Sequence, residues 1–281
     1  MTRIRIATVN VNGVRAAFRK GMGPWLDAVD ADIVALQEVR ASRADLLALV
    51  GDEWHVLSDE ATAKGRAGVA LLTRCAPQAA RTAIGPDDFD SAGRWLEADL
   101  DVDGQPLTVV SAYFHSGEVD TPKQVEKYRM LDAATERLPK LAAEHPRALV
   151  VGDLNVGHTT HDIKNWRGNV KRAGFLPQER AYFDRFFGDR DTEVEGADGT
   201  HGPGLGWIDV GRTWAGDVDG PYTWWSWRGQ AFDNDTGWRI DYQMATPLLA
   251  SEVVSYRVDR AASYAERWSD HAPVVAEYEL P

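Results

Sequence analysis

The side chains able to do chemistry in this chain come in short polar groups, each following an apolar run. Asn10-Val11-Asn12-Gly13 follows Ile4 to Val9, and Gln37-Glu38 follows Ile33 to Leu36. Tyr113-Phe114-His115-Ser116-Gly117 closes a run that begins at Leu107, and Gly152-Asp153-Leu154-Asn155 closes Leu149 to Val151. Later, Asp241 lies in the alternating stretch Trp238-Arg239-Ile240-Asp241-Tyr242, and Ser269-Asp270-His271 introduces Val274 to Tyr278. An apolar run cut short by such a group reads as a buried strand that ends there, and ligand sites in α/β proteins lie beyond strand ends. Each group alone is also what an ordinary Asx turn needs. Their repetition at successive strand ends is what marks a candidate site. The set is rich in hard oxygen donors, which suit Mg²⁺ or Mn²⁺ held with water and substrate phosphate. With Cys75 as the single cysteine and no cluster of histidines, thiolate or three-histidine zinc ligation is unsupported. A histidine among carboxylates suits proton transfer or clamping of a phosphoryl oxygen. Metal-assisted hydrolysis of a phosphate ester is the chemistry that uses all of them.

The elements that must position these groups are legible in outline. After the first strand, Gly13 permits a turn into a polar stretch from Val14 to Lys20, and a helix is expected from near Pro24 through Val29. A helical segment spans Arg43 to Val50, and strands follow at Trp54 to Ser58 and Gly68 to Thr73. Arg94 to Val102 alternates as a strand with an exposed face and turns at Gly104 into the strand ending at Tyr113. Thr121 caps a helix with Pro122 in its first turn, and Val125, Tyr128, Leu131, Leu138 and Leu141 recur at helical spacing. Trp207 to Gly211 and Val253 to Val258 read as further strands. Between Lys164 and Arg185 the chain is locally basic, directly after the candidate site, which suggests phosphate contacts at its rim.

Composition bounds the rest. The 281 residues are 44% hydrophobic and 26% charged, with no Pro/Gly/Ser-rich linker, so one large domain with one substantial core is expected. A net charge of −12 argues against a protein that coats nucleic acid, though not against an enzyme that meets it through one basic face. The N-terminus alternates like a strand and lacks the apolar segment of a signal peptide, and no run reaches the ~18 residues of a membrane span. A reducing, cytoplasmic location fits the single cysteine, and a monomer is expected.

In order and spacing, Asn10-Val11-Asn12-Gly13, Gln37-Glu38, Gly152-Asp153-Leu154-Asn155, Arg239-Ile240-Asp241 and Ser269-Asp270-His271 resemble the exonuclease III family of apurinic/apyrimidinic (AP) endonucleases, within the wider endonuclease/exonuclease/phosphatase superfamily. Gly117, Phe175-Leu176-Pro177-Gln178-Glu179-Arg180 and Gly237 to Asp241 look specific to the DNA-repair branch. The resemblance covers essentially the whole chain, 1–281. It implies a DNase I-like four-layer α/β sandwich, two mixed β-sheets face to face and flanked by helices. It implies Mg²⁺, with Mn²⁺ as an alternative, held by Glu38 with Asn12 and Asp270 nearby. Asn10 and Asn155 would orient the phosphate and the catalytic carboxylate. Asp153 would handle the proton, either of the attacking water or of the leaving oxygen, Asp241 would orient His271 on the scissile phosphate, and Tyr113 would hydrogen-bond the phosphate. Trp224, Trp238 and Ile240 match the wall of a pocket for a flipped-out sugar that lacks its base. Arg15, Lys164, Arg167, Lys171 and Arg172 would hold flanking phosphates.

The implied activity is Mg²⁺-dependent incision of double-stranded DNA 5′ to abasic sites, with removal of blocked 3′ ends or 3′→5′ exonuclease action beside it. A phosphoinositide or phospholipid phosphoesterase of the same superfamily, or a predominantly 3′→5′ exonuclease, is the alternative. A catalytically dead DNA-binding module is the rival from another class, and the filled polar positions count against it.

Overall fold

The computed structural model describes residues 1–63, 65–85, 89 and 92–281. The chain first builds most of one sheet: β1 (Thr2–Asn10), β2 (Ile33–Gln37), β3 (His55–Asp59) and β4 (Val69–Thr73). It then builds a second from β5 (Ala79–Arg81), β6 (Trp95–Val102), β7 (Gln105–Tyr113) and β8 (Ala148–Asp153). A small hairpin of β9 (Glu193–Glu195) and β10 (His201–Pro203) stands apart, β11 (Ile208–Asp209) and β12 (Asp241–Ala245) complete the second sheet, and β13 (Val253–Val258) and β14 (Val274–Leu280) return to the first. The orders are β13-β14-β1-β2-β4-β3 and β11-β12-β8-β7-β6-β5. Each sheet is antiparallel except for one central parallel pair, β1 with β2 and β7 with β8. Those four strands carry Asn10, Gln37-Glu38, Tyr113 and Asp153 at their C-terminal ends.

Side chains alternate between the two faces of a strand, so parity decides what lies between the sheets. Ile4 and Ile6 of β1, Ile33 and Ala35 of β2, Val109 of β7 and Leu149 and Val151 of β8 pack into one inter-sheet core. Burying each such aliphatic side chain is worth about 1.5–3 kcal/mol. The same parity carries on to Thr8 and Asn10, to Gln37, to Ser111 and Tyr113, and to Asp153. The core therefore turns polar as it approaches one edge. There Gln37 bridges the sheets, its Nε2 donating to Ser111 Oγ and Thr8 Oγ1 at 3.1 Å. The outer faces are covered by helices: α1 (Val14–Arg19), α2 (Met22–Val29) and α3 (Arg43–Val50) on the first sheet, α4 (Pro122–Glu144) and α5 (Pro177–Phe187) on the second. The result is the four-layer sandwich that the sequence resemblance implies. The short helices α6 (Val210–Ala215) and α7 (Pro247–Ala250) flank β12. Among the described residues no helix is long and apolar enough to cross a membrane.

Several local expectations need correction. The helix expected near Pro24 begins at Met22, after the separate α1. Val125 does not join the buried stripe of α4 but is 58% exposed, because the stripe runs through Gln124, Lys127, Leu131, Ala134, Leu138 and Leu141. Strand β6 presents its polar face to solvent only towards its end, at Asp99 and Asp101. Its Glu97 is fully buried, accepting from Trp95 Nε1 at 2.8 Å and pairing with Arg137 and Arg81. The strand expected over Trp207 to Gly211 is only Ile208–Asp209, and Asp209 then caps α6 by accepting from Arg212 N.

Candidate active site

Two similar turns build the floor of the site. Asn10 Oδ1 accepts from the backbone N of Asn12 at 2.9 Å, and Asp153 Oδ1 accepts from the backbone N of Asn155 at 3.0 Å. Both are Asx turns that end the central strand of a sheet, and both force the residue two places on into left-handed backbone, φ 47° at Asn12 and 54° at Asn155. Asn10 and Asn12, two residues apart, would face the same side of an extended strand, but the turn separates them. Asn10 stays between the sheets while Asn12 turns outward. Glu38 is a third left-handed residue, at φ 51°, held by the bond from Gly13 N to its carbonyl at 2.8 Å. Arg40, at φ 50°, is a fourth, and four strained non-glycine residues at one edge cost of order 1–3 kcal/mol each, an expense that clusters at functional sites. Gly152 must be glycine, since a Cβ there would lie 2.0 Å from Ala112 O on β7.

Cross-strand register brings the carboxylates together. Asp153 is level with Tyr113 on one side and Asp241 on the other. Asn10 reaches across from the first sheet, its Nδ2 donating to Asp153 Oδ2 at 2.9 Å and to Glu38 Oε1 at 3.0 Å. Tyr113 Oη donates to the same Glu38 oxygen at 2.7 Å. His271 Nδ1 donates to Asp241 at 2.9 Å, and its Nε2 lies 3.8 Å from Asp153 Oδ2. Thr223 Oγ1 fixes Asp241 from behind at 2.6 Å, and Ser269 Oγ accepts from His271 N while donating to Asn10 O at 2.6 Å. Asn12 Nδ2 donates to Asp270 Oδ1 at 2.8 Å, and Trp224 Nε1 donates to Asp270 Oδ2 at 3.2 Å. Asn155 Nδ2 donates to Phe114 O at 3.0 Å.

Burial and charge set the protonation of this group. Burial raises Asp153, His271 opposes it and Asp241 adds to it, leaving the carboxyl pushed up to about 7. Burial alone would lower His271, but the Asp241 and Asp153 carboxylates overcome it and raise the imidazole to about 10. These carboxylates hold His271 as the imidazolium, with Nδ1–H donating to Asp241 and Nε2–H 3.8 Å from the Asp153 carboxyl, too far for a hydrogen bond. Burial, then Glu38 and Asp153, push the Tyr113 phenol far above its ordinary range, so it stays a donor.

An open cleft of about 530 Å³ lies over this edge. Glu38, Tyr113, Asp153, Asn155, Asp270 and His271 line it, with Trp224, Trp238 and Ile240 as an apolar wall and Arg172 at the rim. Asn10 and Asp241 lie fully buried behind it. Of the expected phosphate contacts, only Arg172 reaches this cleft. Arg15 lines a neighbouring groove with Arg40 and Arg66 and pairs with Asp45 at 3.3 Å. Lys164 faces Asp219 at 3.8 Å, Arg167 lies over the Trp166 ring, and Lys171 is exposed. The sequence reading missed Arg40, which pairs with Glu38 and lines both cavities, as well as Thr223 and Arg94, whose guanidinium lies 4.5 Å from the Tyr113 ring centre, and it gave Ser269 no role of its own. Arg40 stands two residues from Glu38 and could have been suspected. Thr223 and Arg94 carry no local signal.

The donor set fits a hard divalent cation. Four carboxylates (Glu38, Asp153, Asp241 and Asp270) meet at this edge against the cations His271 and Arg40, and the Arg40 guanidinium against Glu38 already stands where positive charge is wanted. Asp153, Asp241 and His271 also bring ligand atoms within 4.8 Å of one another, a set that could hold a metal ion only with the His271 imidazole deprotonated.

Comparison with known proteins agrees with this geometry. The profile of the Endonuclease/Exonuclease/phosphatase family matches residues 7–271. An exodeoxyribonuclease of Bacillus subtilis is 30% identical over 273 residues, 96% of this chain and 98% of that protein. A 3′ phosphatase from Neisseria, solved bound to product DNA hairpin, superimposes with a TM-score of 0.80 at 27% identity, over 99% of this chain and 100% of that one. An AP endonuclease from Archaeoglobus fulgidus superimposes with a TM-score of 0.80 at 25% identity and the same coverage.

Proposed function

The chain belongs to the endonuclease/exonuclease/phosphatase family, and from that premise we propose that it is a Mg²⁺-dependent DNA-repair phosphodiesterase that incises duplex DNA 5′ to abasic sites. Removal of 3′ phosphates and 3′→5′ trimming are further reactions of the same cleft. The observation that carries the reading is His271 Nε2 lying 3.8 Å from the Asp153 carboxyl in the same cleft as an apolar Trp224, Trp238 and Ile240 wall. A deoxyribose without its base can lie against that wall, whereas a nucleotide with its base is far bulkier.

His271 donates from Nε2 to a non-bridging oxygen of the scissile phosphate, and Asp241 and Thr223 keep the ring in place. Asp153 takes the proton of the attacking water. The P–O3′ bond breaks and the leaving O3′ takes a proton from solvent water in the open cleft, leaving a 3′-hydroxyl on one side and a 5′-phosphate on the abasic sugar. Tyr113 and Asn155 position the phosphate. Glu38 and Asp270 would hold Mg²⁺, with Asn12 orienting Asp270. The ion supplies charge neutralisation of the phosphate oxygens. Arg172 at the rim and the groove of Arg15, Arg40 and Arg66 supply the local positive charge that an acidic protein needs to meet DNA.

The deciding experiment is cleavage of a labelled duplex with one abasic analogue, beside an undamaged duplex and a 3′-phosphate end, in Mg²⁺ and in EDTA. Mg²⁺-dependent incision at the lesion, lost in Glu38→Ala, is expected. Release of phosphate from the 3′ end alone would place the chain with the 3′ phosphatase from Neisseria that it resembles. Absence of both reactions would end the DNA reading.

A further inference from the structure

One buried ion pair takes no part in the reaction above yet reaches three walls of the cleft. Lys127 on α4 and Glu179 in the first turn of α5 are both fully buried and meet at 2.8 Å. Lysine and glutamate are rarely buried completely, and an apolar pair of the same volume would join two helices at no desolvation cost. The Lys127 ammonium also donates to Asn155 O at 2.8 Å and to Ser116 O at 3.3 Å. Glu179 Oε2 accepts from Gly174 N at 2.6 Å and Leu176 N at 3.0 Å, while Oε1 accepts from Gln124 Nε2 at 2.8 Å. Ser116, Asn155 and Gly174 all line the cleft. The Gly174 backbone lies so close to the apolar wall that a Cβ there would sit 2.9 Å from the Trp238 ring.

The position of the two charges matters more than their attraction. Asn155 holds a left-handed backbone, and the ammonium on its carbonyl fixes that peptide's orientation through a charge-assisted bond. Glu179 does the same for the amide group of Gly174, beside Trp238, and for that of Leu176. Neither side chain reaches the cleft itself.

We propose that Lys127 and Glu179 are a positioning pair, which holds the Asn155 turn, the Ser116 loop and the Gly174 loop at one fixed spacing around the substrate. The activity arm of its test rests on the phosphodiesterase reading; the structural arm does not. The variant to use is Lys127→Met with Glu179→Gln, which removes both charges and keeps the volume. Glu179→Gln alone is the second variant, should the double one fail to fold. Hydrogen exchange on the full chain should show peptides over residues 154–157 and 172–176 exchanging about tenfold faster, with β1 and β2, which carry Asn10 and Glu38, unchanged. On the abasic duplex, kcat should fall about tenfold or more with KM within about twofold, since small misplacement of a reacting group costs rate more than binding. Unchanged exchange in both loops overturns the proposal, as does a loss of kcat no larger than the loss of folded protein. If the parent protein cuts no DNA, the functional reading fails and exchange still decides the pair.

Discussion

Arg239 and Asp241 stand two residues apart, both fully buried, and the charge clusters around them are built on opposite terms. Arg239 meets Asp162 at 2.7 Å and Asp209 at 2.7 Å, and Arg212 joins Asp162, so two cations face two carboxylates. Burial works against both partners there, yet their attraction wins, holding Arg239 well above its ordinary value and Asp162 well below. Around Asp241 the carboxylates outnumber the cations, and Asp153 is left near 7. A balanced cluster has no use for another proton or ion. A cluster short of positive charge will take up a proton, a divalent cation or both. The first ties the loop that ends in Asp162 to the strand behind Trp238; the second is where chemistry can occur.

That contrast can be broken most sharply at Asp153. Asp153→Asn should lower the rate of hydrolysis by roughly 10²–10⁴-fold, the share usual for a proton-transfer group, with no loss of thermal stability. A fall in melting temperature matching the fall in rate would move Asp153 into the structural class. Arg239→Met should do the reverse. It leaves two buried carboxylates without their main partner and should cost about 3–5 kcal/mol in denaturant unfolding, with the rate per folded molecule nearly kept.

The smallest effect is a pH slope, read in EDTA. His271 has a native pKa of about 10 against an ordinary 6.5. Its protonated form is therefore favoured by folding, so its contribution is fully present below pH 6.5 and is lost as pH rises towards 10. Melting temperature should fall across that window, and Asp241→Asn should flatten the fall. An equal slope in both proteins would separate His271 from Asp241.

Much of the framework was legible because it is local. Helix α3 spans the expected Arg43 to Val50, capped by Ser42, whose side chain accepts from Asp45 N, and β13 spans the expected Val253 to Val258. The β6–β7 hairpin turns at Asp103-Gly104, both left-handed, as a glycine there demands. The misreadings over α4 and β6 share one cause. Gln124, Lys127 and Glu97 look like solvent-facing residues in a list of letters, and each is buried because a partner far along the chain satisfies it. Polarity predicts exposure only where no such partner exists.

By itself the sequence determined where strands stop, since an apolar run ended by glycine or an Asx turn is a local event. It thereby determined which side chains stand at strand ends, and alternation chose their face. Only the tertiary structure decided which of those ends meet. Asn10 touches Asp153, Asn12 touches Asp270, and Thr223 secures Asp241 through pairings that span 143, 258 and 18 residues. Such contacts depend on sheet order and register, which no local stretch specifies. The protonation of Asp153 and His271 follows from them, because a pKa responds to the charges that folding brings near and to the water it removes.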